Sequence, residues 1–110
     1  MANIFHELMS VIEDRKRNPP ARSYTTKLFE GGVEKIGAKI TEEAAEVIEA
    51  AAESGAEGRT HLVHEAADLM YHLFVMLGHR DISLVEVETE LAGRFGISGL
   101  DEKESRTRKP

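Results

Sequence analysis

Thr41 to Asp68 reads T-E-E-A-A-E-V-I-E-A-A-A-E-S-G-A-E-G-R-T-H-L-V-H-E-A-A-D. Glu42, Glu43 and Glu46 come first, a Gly-punctuated break follows, then Glu65 and Asp68. Both acidic groups are set among Ala, Val, Leu and Ile. At about 100° per residue, Glu43 and Glu46 lie roughly 60° apart on a helix surface, as do Glu65 and Asp68. Two such helices packed antiparallel can turn the pairs toward each other. Carboxylates converging in an apolar bundle repel one another, so the arrangement calls for a positive charge at its centre. A hard divalent cation with oxygen ligands, Mg²⁺ or Mn²⁺, meets that need.

The stretches on either side extend the helical pattern. Before it, Val33, Ile36, Ile40, Ala44, Val47, Ile48 and Ala51 form one apolar face, predicting a helix from Val33 to about Ser54. Gly55 is expected to stop that helix. After it, Thr60 reads as the N-cap of a helix running from Arg59 to Arg80. Its apolar residues cover more than half the circumference, which predicts burial on two sides and a second subunit on one of them. Glu65, Asp68 and His72 are its polar strip.

Further out, Asn3 to Arg17 reads as a first helix with Asn3 as N-cap, ended by Asn18-Pro19-Pro20. Arg15, Lys16 and Arg17 complement the negative end of its dipole. Ala21 to Gly32 reads as a loop with one helical turn, rich in hydroxyls and cations that suit contact with phosphate. Ser83-Leu-Val-Glu86 is a capping box opening a helix to about Phe95. The expected fold is all-α, a dimeric four- to five-helix bundle over residues 1–95 with a charged tail at 96–110.

Composition limits the function classes. The 110 residues carry a formal net charge of -6, which speaks against a nucleic-acid-binding surface. No cysteine is present, so there is neither a disulfide framework nor a thiolate metal site. No apolar run is long enough to span a bilayer, and the first residues do not resemble a secretory signal. A cytoplasmic location is expected. His61, His64 and His72 lie near the acids, but helix-bundle di-iron sites use Glu-x-x-His. Here the third residue after Glu65 is Asp68 and after Glu43 is Glu46, so an all-oxygen site is expected and each histidine reads as a hydrogen-bonding or surface group.

The order E-E-x-x-E, helix break, E-x-x-D resembles the all-α nucleoside triphosphate pyrophosphohydrolase superfamily, the MazG-type fold. Three flanking stretches narrow the likeness: S-Y-T-T-K-L-F-E-G-G at Ser23 to Gly32, K-I-G-A-K-I-T-E-E-A-A-E-V-I-E-A-A at Lys35 to Ala51, and H-E-A-A-D-L-M-Y-H-L-F-V-M-L at His64 to Leu77. Together they resemble the phosphoribosyl-ATP pyrophosphohydrolase family, from about Phe5 to Arg106. The resemblance implies Mg²⁺-dependent hydrolysis of 1-(5-phosphoribosyl)-ATP to its AMP counterpart and pyrophosphate, the second step of histidine biosynthesis, by a homodimer. In this length it looks like the stand-alone form, without a fused cyclohydrolase.

By position, the resemblance implies that Glu43, Glu46, Glu65 and Asp68 hold the metal. Glu42 matches the first acid of the motif, and Glu42 or Glu46 is expected to orient or deprotonate the attacking water. Arg22, Lys27, Lys35 and Lys39 are the candidates for neutralising phosphate oxygens. Two other readings compete. One is a house-cleaning pyrophosphohydrolase of non-canonical nucleoside triphosphates; the other is a non-catalytic helical dimerisation module.

Overall fold

A computed structural model describes residues 3–95, which form four α-helices with no strand among them. These are α1 (Ile4–Arg17), α2 (Tyr24–Ala52), α3 (Gly55–His79) and α4 (Leu84–Ala92). The tail expected at 96–110 lies outside the described residues.

Local chemistry accounts for most of the helix ends. The side chain of Asn3 accepts from the amides of Phe5 and His6 at the start of α1. Ser83 and Glu86 form the reciprocal capping box at the start of α4. That helix stops at Ala92 with Gly93 as C-cap, short of the expected Phe95. Lys16 departs from the reading that it serves its own helix. Its Nζ donates to the carbonyls of Gly78 (3.2 Å) and His79 (3.0 Å) and to Asp81 Oδ1 (2.8 Å). It thereby caps the negative end of α3 from α1.

Two expectations about breaks are corrected. Residues 24–31 are helical, not a loop, because Ser23 Oγ accepts from the Thr26 amide and nucleates the turn. And α3 begins at Gly55, five residues before the expected cap at Thr60. Gly55 does adopt a positive φ (77°), but as the opening residue of α3, not as the stop of α2. The connection is only Glu53 and Ser54. Gly58 makes so short a turn possible: a Cβ there would lie 2.6 Å from the Glu53 carbonyl oxygen.

The pairings along α3 define the topology. Thr25 bonds Tyr71, Tyr24 bonds His72, and Phe29 stacks on His79, so residues 24–31 run along α3 in its own direction. At Gly32 the backbone leaves helical geometry (φ 67°, ψ -161°). Residues 33–52 then run back: Gly37 faces Met76, Glu43 and Glu46 meet Glu65, and Glu53 reaches His61. The reversal carries Tyr24 back beside the middle of α3.

The core sits toward the C-terminal half of α3. Met9 and Ile12 of α1, Leu28 and Ile36 of α2, Phe74 and Val75 of α3, and Leu84 of α4 close it. Phe74 therefore belongs to the core of the chain itself. Ile48, Val63, Met70 and Leu73 remain exposed, leaving α3 apolar on a side that no other described element covers. No helix among the described residues is long and apolar enough to cross a membrane.

Candidate metal centre

The antiparallel limb of α2 brings Glu43 and Glu46 against Glu65 of α3. One carboxylate oxygen from each lies within 4.8 Å of the others. Glu43 and Glu65 are 6% and 7% exposed. The Oε2 atoms of both are buried without a hydrogen-bond partner. A buried carboxylate oxygen left unpaired is costly, and two on neighbouring acids are more so.

The electrostatics follow. Its hydrogen bond with Glu46, then burial and the neighbouring Glu43, push Glu65 up from the ordinary 4.5 to about 7. The same hydrogen bond from Glu65 holds Glu46 below its ordinary value. In the bare protein the group thus retains a proton into the neutral range. A hard dication offers what that proton offers, with more charge and more bonds. The donor set, all oxygen and acidic, fits Mg²⁺ or Mn²⁺.

Asp68 stands one turn along α3. It groups with Glu65 and His64, again with one ligand atom from each within 4.8 Å. Its side chain is half-buried. Glu42 is not drawn in: its carboxylate is half-exposed and pairs with Lys39 at 3.3 Å. Donating a hydrogen bond to Glu42 raises the Lys39 ammonium above its ordinary value, so Lys39 is firmly charged.

The other cations lie further out. Arg22 and Lys27 line a shallow cavity of about 250 Å³ with Ala21, Ser23 and Tyr24 at the start of α2. Lys35 is exposed, its stem lying over Gly31 at the reversal. Of the four expected phosphate contacts, Lys39 alone is paired with one of the acids of the E-E-x-x-E stretch.

Three side chains add to the site beyond the expected acids. His72, 4% exposed, places Nδ1 2.8 Å from the Asp68 carbonyl and Nε2 2.9 Å from the Tyr24 hydroxyl. A carbonyl only accepts, so Nδ1 carries a proton, and in that tautomer Nε2 receives the Tyr24 O–H. His72 thus behaves as the hydrogen-bonding group expected of it. Tyr24 was missed, because residues 21–32 read as a loop; the Ser23 cap was the available signal. His61 bridges Glu53 (2.9 Å) and Glu65 (3.4 Å), and its pairing with Glu53 raises its basicity.

Comparison with known proteins identifies the family. The family model described as phosphoribosyl-ATP pyrophosphohydrolase matches residues 5–95. A phosphoribosyl-ATP pyrophosphatase of Rhodopirellula baltica is 53% identical over 102 residues, covering 93% of this chain and 85% of that protein. Proteins of the same name from Geotalea daltonii and Rhodobacter capsulatus are 45% and 50% identical. They cover 96% and 90% of this chain and 97% and 93% of their own lengths.

Proposed function

The chain belongs to the phosphoribosyl-ATP pyrophosphohydrolase family, and from that premise we propose that the carboxylates in the middle of the hairpin are where its reaction is run. The activity is hydrolysis of 1-(5-phosphoribosyl)-ATP to 1-(5-phosphoribosyl)-AMP and pyrophosphate, a step of histidine biosynthesis. One observation carries the placement: Glu43 and Glu65, each with a buried partnerless carboxylate oxygen, both bring an oxygen within 4.8 Å of Glu46.

Glu43, Glu46, Glu65 and Asp68 would hold Mg²⁺, with Mn²⁺ as a substitute. When bound, the cation neutralises polyphosphate charge and stabilises the departing pyrophosphate. The protein's own part is positioning. Glu42 stands outside the converging acids, paired with Lys39, and is assigned the role of orienting or deprotonating water. Glu46 is the second candidate for that role. Lys39 switches between Glu42 and a phosphate oxygen, and Arg22 and Lys27 supply positive charge at the start of α2. Lys35, one turn from Lys39, extends that strip.

The decisive assay is pyrophosphate release from phosphoribosyl-ATP with Mg²⁺ and with EDTA, run beside ITP and dUTP. Release that needs Mg²⁺ and prefers phosphoribosyl-ATP is expected. Faster release from ITP or dUTP would favour the house-cleaning reading, and no release at all would favour the dimerisation module.

The proposal includes a homodimer in the cytoplasm, without nucleic-acid or membrane partners. Val63 and Met70 on α3 and Ile48 on α2 form the uncovered apolar side, and a second copy buries it. Sedimentation of the wild type as a monomer at micromolar concentration would overturn that assembly.

A further inference from the structure

We propose that His64, Glu65 and Asp68 form a mixed nitrogen–oxygen site for a borderline-soft divalent ion such as Zn²⁺, sharing two acids with the Mg²⁺ set and excluding it when filled. The inference rests on the proposed Mg²⁺ ligands only for the exclusion; the site itself stands on α3 alone.

The geometry comes first. His64 and Asp68 are one turn apart, and His64 Nε2 lies 3.3 Å from Asp68 Oδ2. A tetrahedral ion holding nitrogen and oxygen at its usual bond lengths sets them about 3.4 Å apart. The pair already has that spacing without closing into a short hydrogen bond. Glu65 supplies the third ligand atom within the same 4.8 Å group. Glu65 also lacks a partner for one of its oxygens: it is 7% exposed, and its Oε2 is buried without a hydrogen bond.

The chemistry selects the ion. Imidazole suits zinc and the later transition metals, whereas Mg²⁺ takes oxygen ligands and keeps its waters. His64 is 70% exposed on the side chain, so its ring meets an incoming ion without any rearrangement of the core. A groove of about 510 Å³ lined by Ala56, Glu57, Thr60, His61 and His64 gives access from solvent.

Beside it, His61 already shows the outer arrangement typical of metal sites. Its Nδ1 is held by Glu53 at 2.9 Å while Nε2 faces Glu65 Oε1 at 3.4 Å. Glu65 is therefore oriented on one oxygen and free on the other. Both ions need it, so the two occupancies compete through a single carboxylate.

Calorimetric titration of the full chain with Zn²⁺ alone tests the site. Replacing His64 by Ala, or by Gln to keep the side chain polar, should weaken Zn²⁺ binding roughly 10–100-fold, the scale lost when even an outer partner of a metal ligand is removed. His6→Ala is the control, since His6 also pairs with a carboxylate, Glu88 at 2.9 Å, and should leave Zn²⁺ binding unchanged. Saturating Mg²⁺ should raise the apparent Zn²⁺ dissociation constant of the wild type. Zn²⁺ should inhibit Mg²⁺-dependent pyrophosphate release, less so in His64→Ala. Equal Zn²⁺ binding by wild type and both His64 variants would overturn the site. Zn²⁺ binding indifferent to Mg²⁺ would overturn the sharing. A failure of the Mg²⁺ assignment would appear separately, as turnover that ignores Mg²⁺ while Zn²⁺ heat still depends on His64.

Discussion

The Tyr24 hydroxyl donates to His72 Nε2 at 2.9 Å, joining the first residue of α2 to a buried histidine in the middle of α3. Because His72 in turn donates to the Asp68 carbonyl at 2.8 Å, the bond ties the N-terminal limb of α2 to a proposed metal ligand. Tyr24 also stacks on Tyr71, at 6.3 Å between ring centroids. Burial pushes its phenol above the ordinary 10.0, so it is a neutral donor at any physiological pH.

Tyr24→Phe keeps the stacking and removes the hydroxyl. It should cost about 0.5–1.5 kcal/mol of stability, the net worth of one hydrogen bond. Turnover should fall severalfold as Asp68 loses its brace, with Mg²⁺ still required. Denaturant melts and steady-state kinetics check the two halves; a variant with wild-type stability and wild-type turnover would show that the bond is incidental.

Gly32 is the reversal on which that contact depends. Its φ of 67° with ψ of -161° is a conformation open essentially to glycine alone. Nothing lies within 4 Å of a Cβ placed there, so the strain is purely backbone. Gly32→Ala should destabilise by about 1–3 kcal/mol and loosen residues 24–31 from α3. Hydrogen exchange resolved by residue should show faster amide exchange in that limb than in residues 33–52. Uniform protection would mean that the limb is held independently of the turn.

Lys16 offers a test away from the site. Its ammonium serves two carbonyls at the end of α3 and the Asp81 carboxylate. Lys16→Met preserves the stem and should lose about 1.5–3 kcal/mol, as expected for hydrogen bonds from a charged donor. Asp81→Asn should do much less, since that carboxylate is mostly exposed. Lys16 holds Asp81 below its ordinary 3.8, so the pair's small contribution is present above that value and disappears as pH falls through the lower, folded one. Near-wild-type stability of Lys16→Met in urea would refute the cap.

These sites differ in how visible they are from sequence. The acidic pairs were legible because Glu43 and Glu65 occur on strongly apolar helices, where a carboxylate needs a reason. The caps at Asn3 and Ser83 were legible because capping is local chemistry. The limb before Gly32 was not: Gly31-Gly32 reads as punctuation, and eight polar-rich residues give too little periodicity to announce a helix. Its return along α3 is a tertiary fact, so Tyr24 could not be placed beside His72. The hairpin turn was misread for a related reason. Gly55 has the positive φ of a helix stop but opens α3, and Gly58 looks like a breaker yet is required by the approach of the Glu53 backbone. Cations were the least legible, since long exposed side chains are not aimed by sequence spacing.

Glu65 makes the link between metal and stability measurable. In the metal-free protein its carboxyl is raised to about 7 from an ordinary 4.5. Between those values the folded chain holds a proton that the unfolded chain has given up. Stability therefore falls as pH rises from about 4.5 through 7 and levels off above. Mg²⁺ supplies the missing positive charge and binds only the folded chain, so it should stabilise most where the bare group is ionised, above pH 7. Replacing Glu65 by Gln removes both the proton and the repulsion. The metal-free variant should melt higher than metal-free wild type at pH 8, and its stability should vary less across the window, with only the His61–Glu53 pair contributing near its upper end. Added Mg²⁺ should raise its melting temperature far less, and pyrophosphate release should drop by orders of magnitude. Glu49, exposed on α2, is the control, and Glu49→Gln should change none of these. Melts in EDTA and in Mg²⁺ at pH 5, 6, 7 and 8 separate the alternatives. A metal-free wild type whose stability climbs between pH 5 and 7, or an equal Mg²⁺ shift in wild type and Glu65→Gln, would contradict a site built from mutually repelling carboxylates.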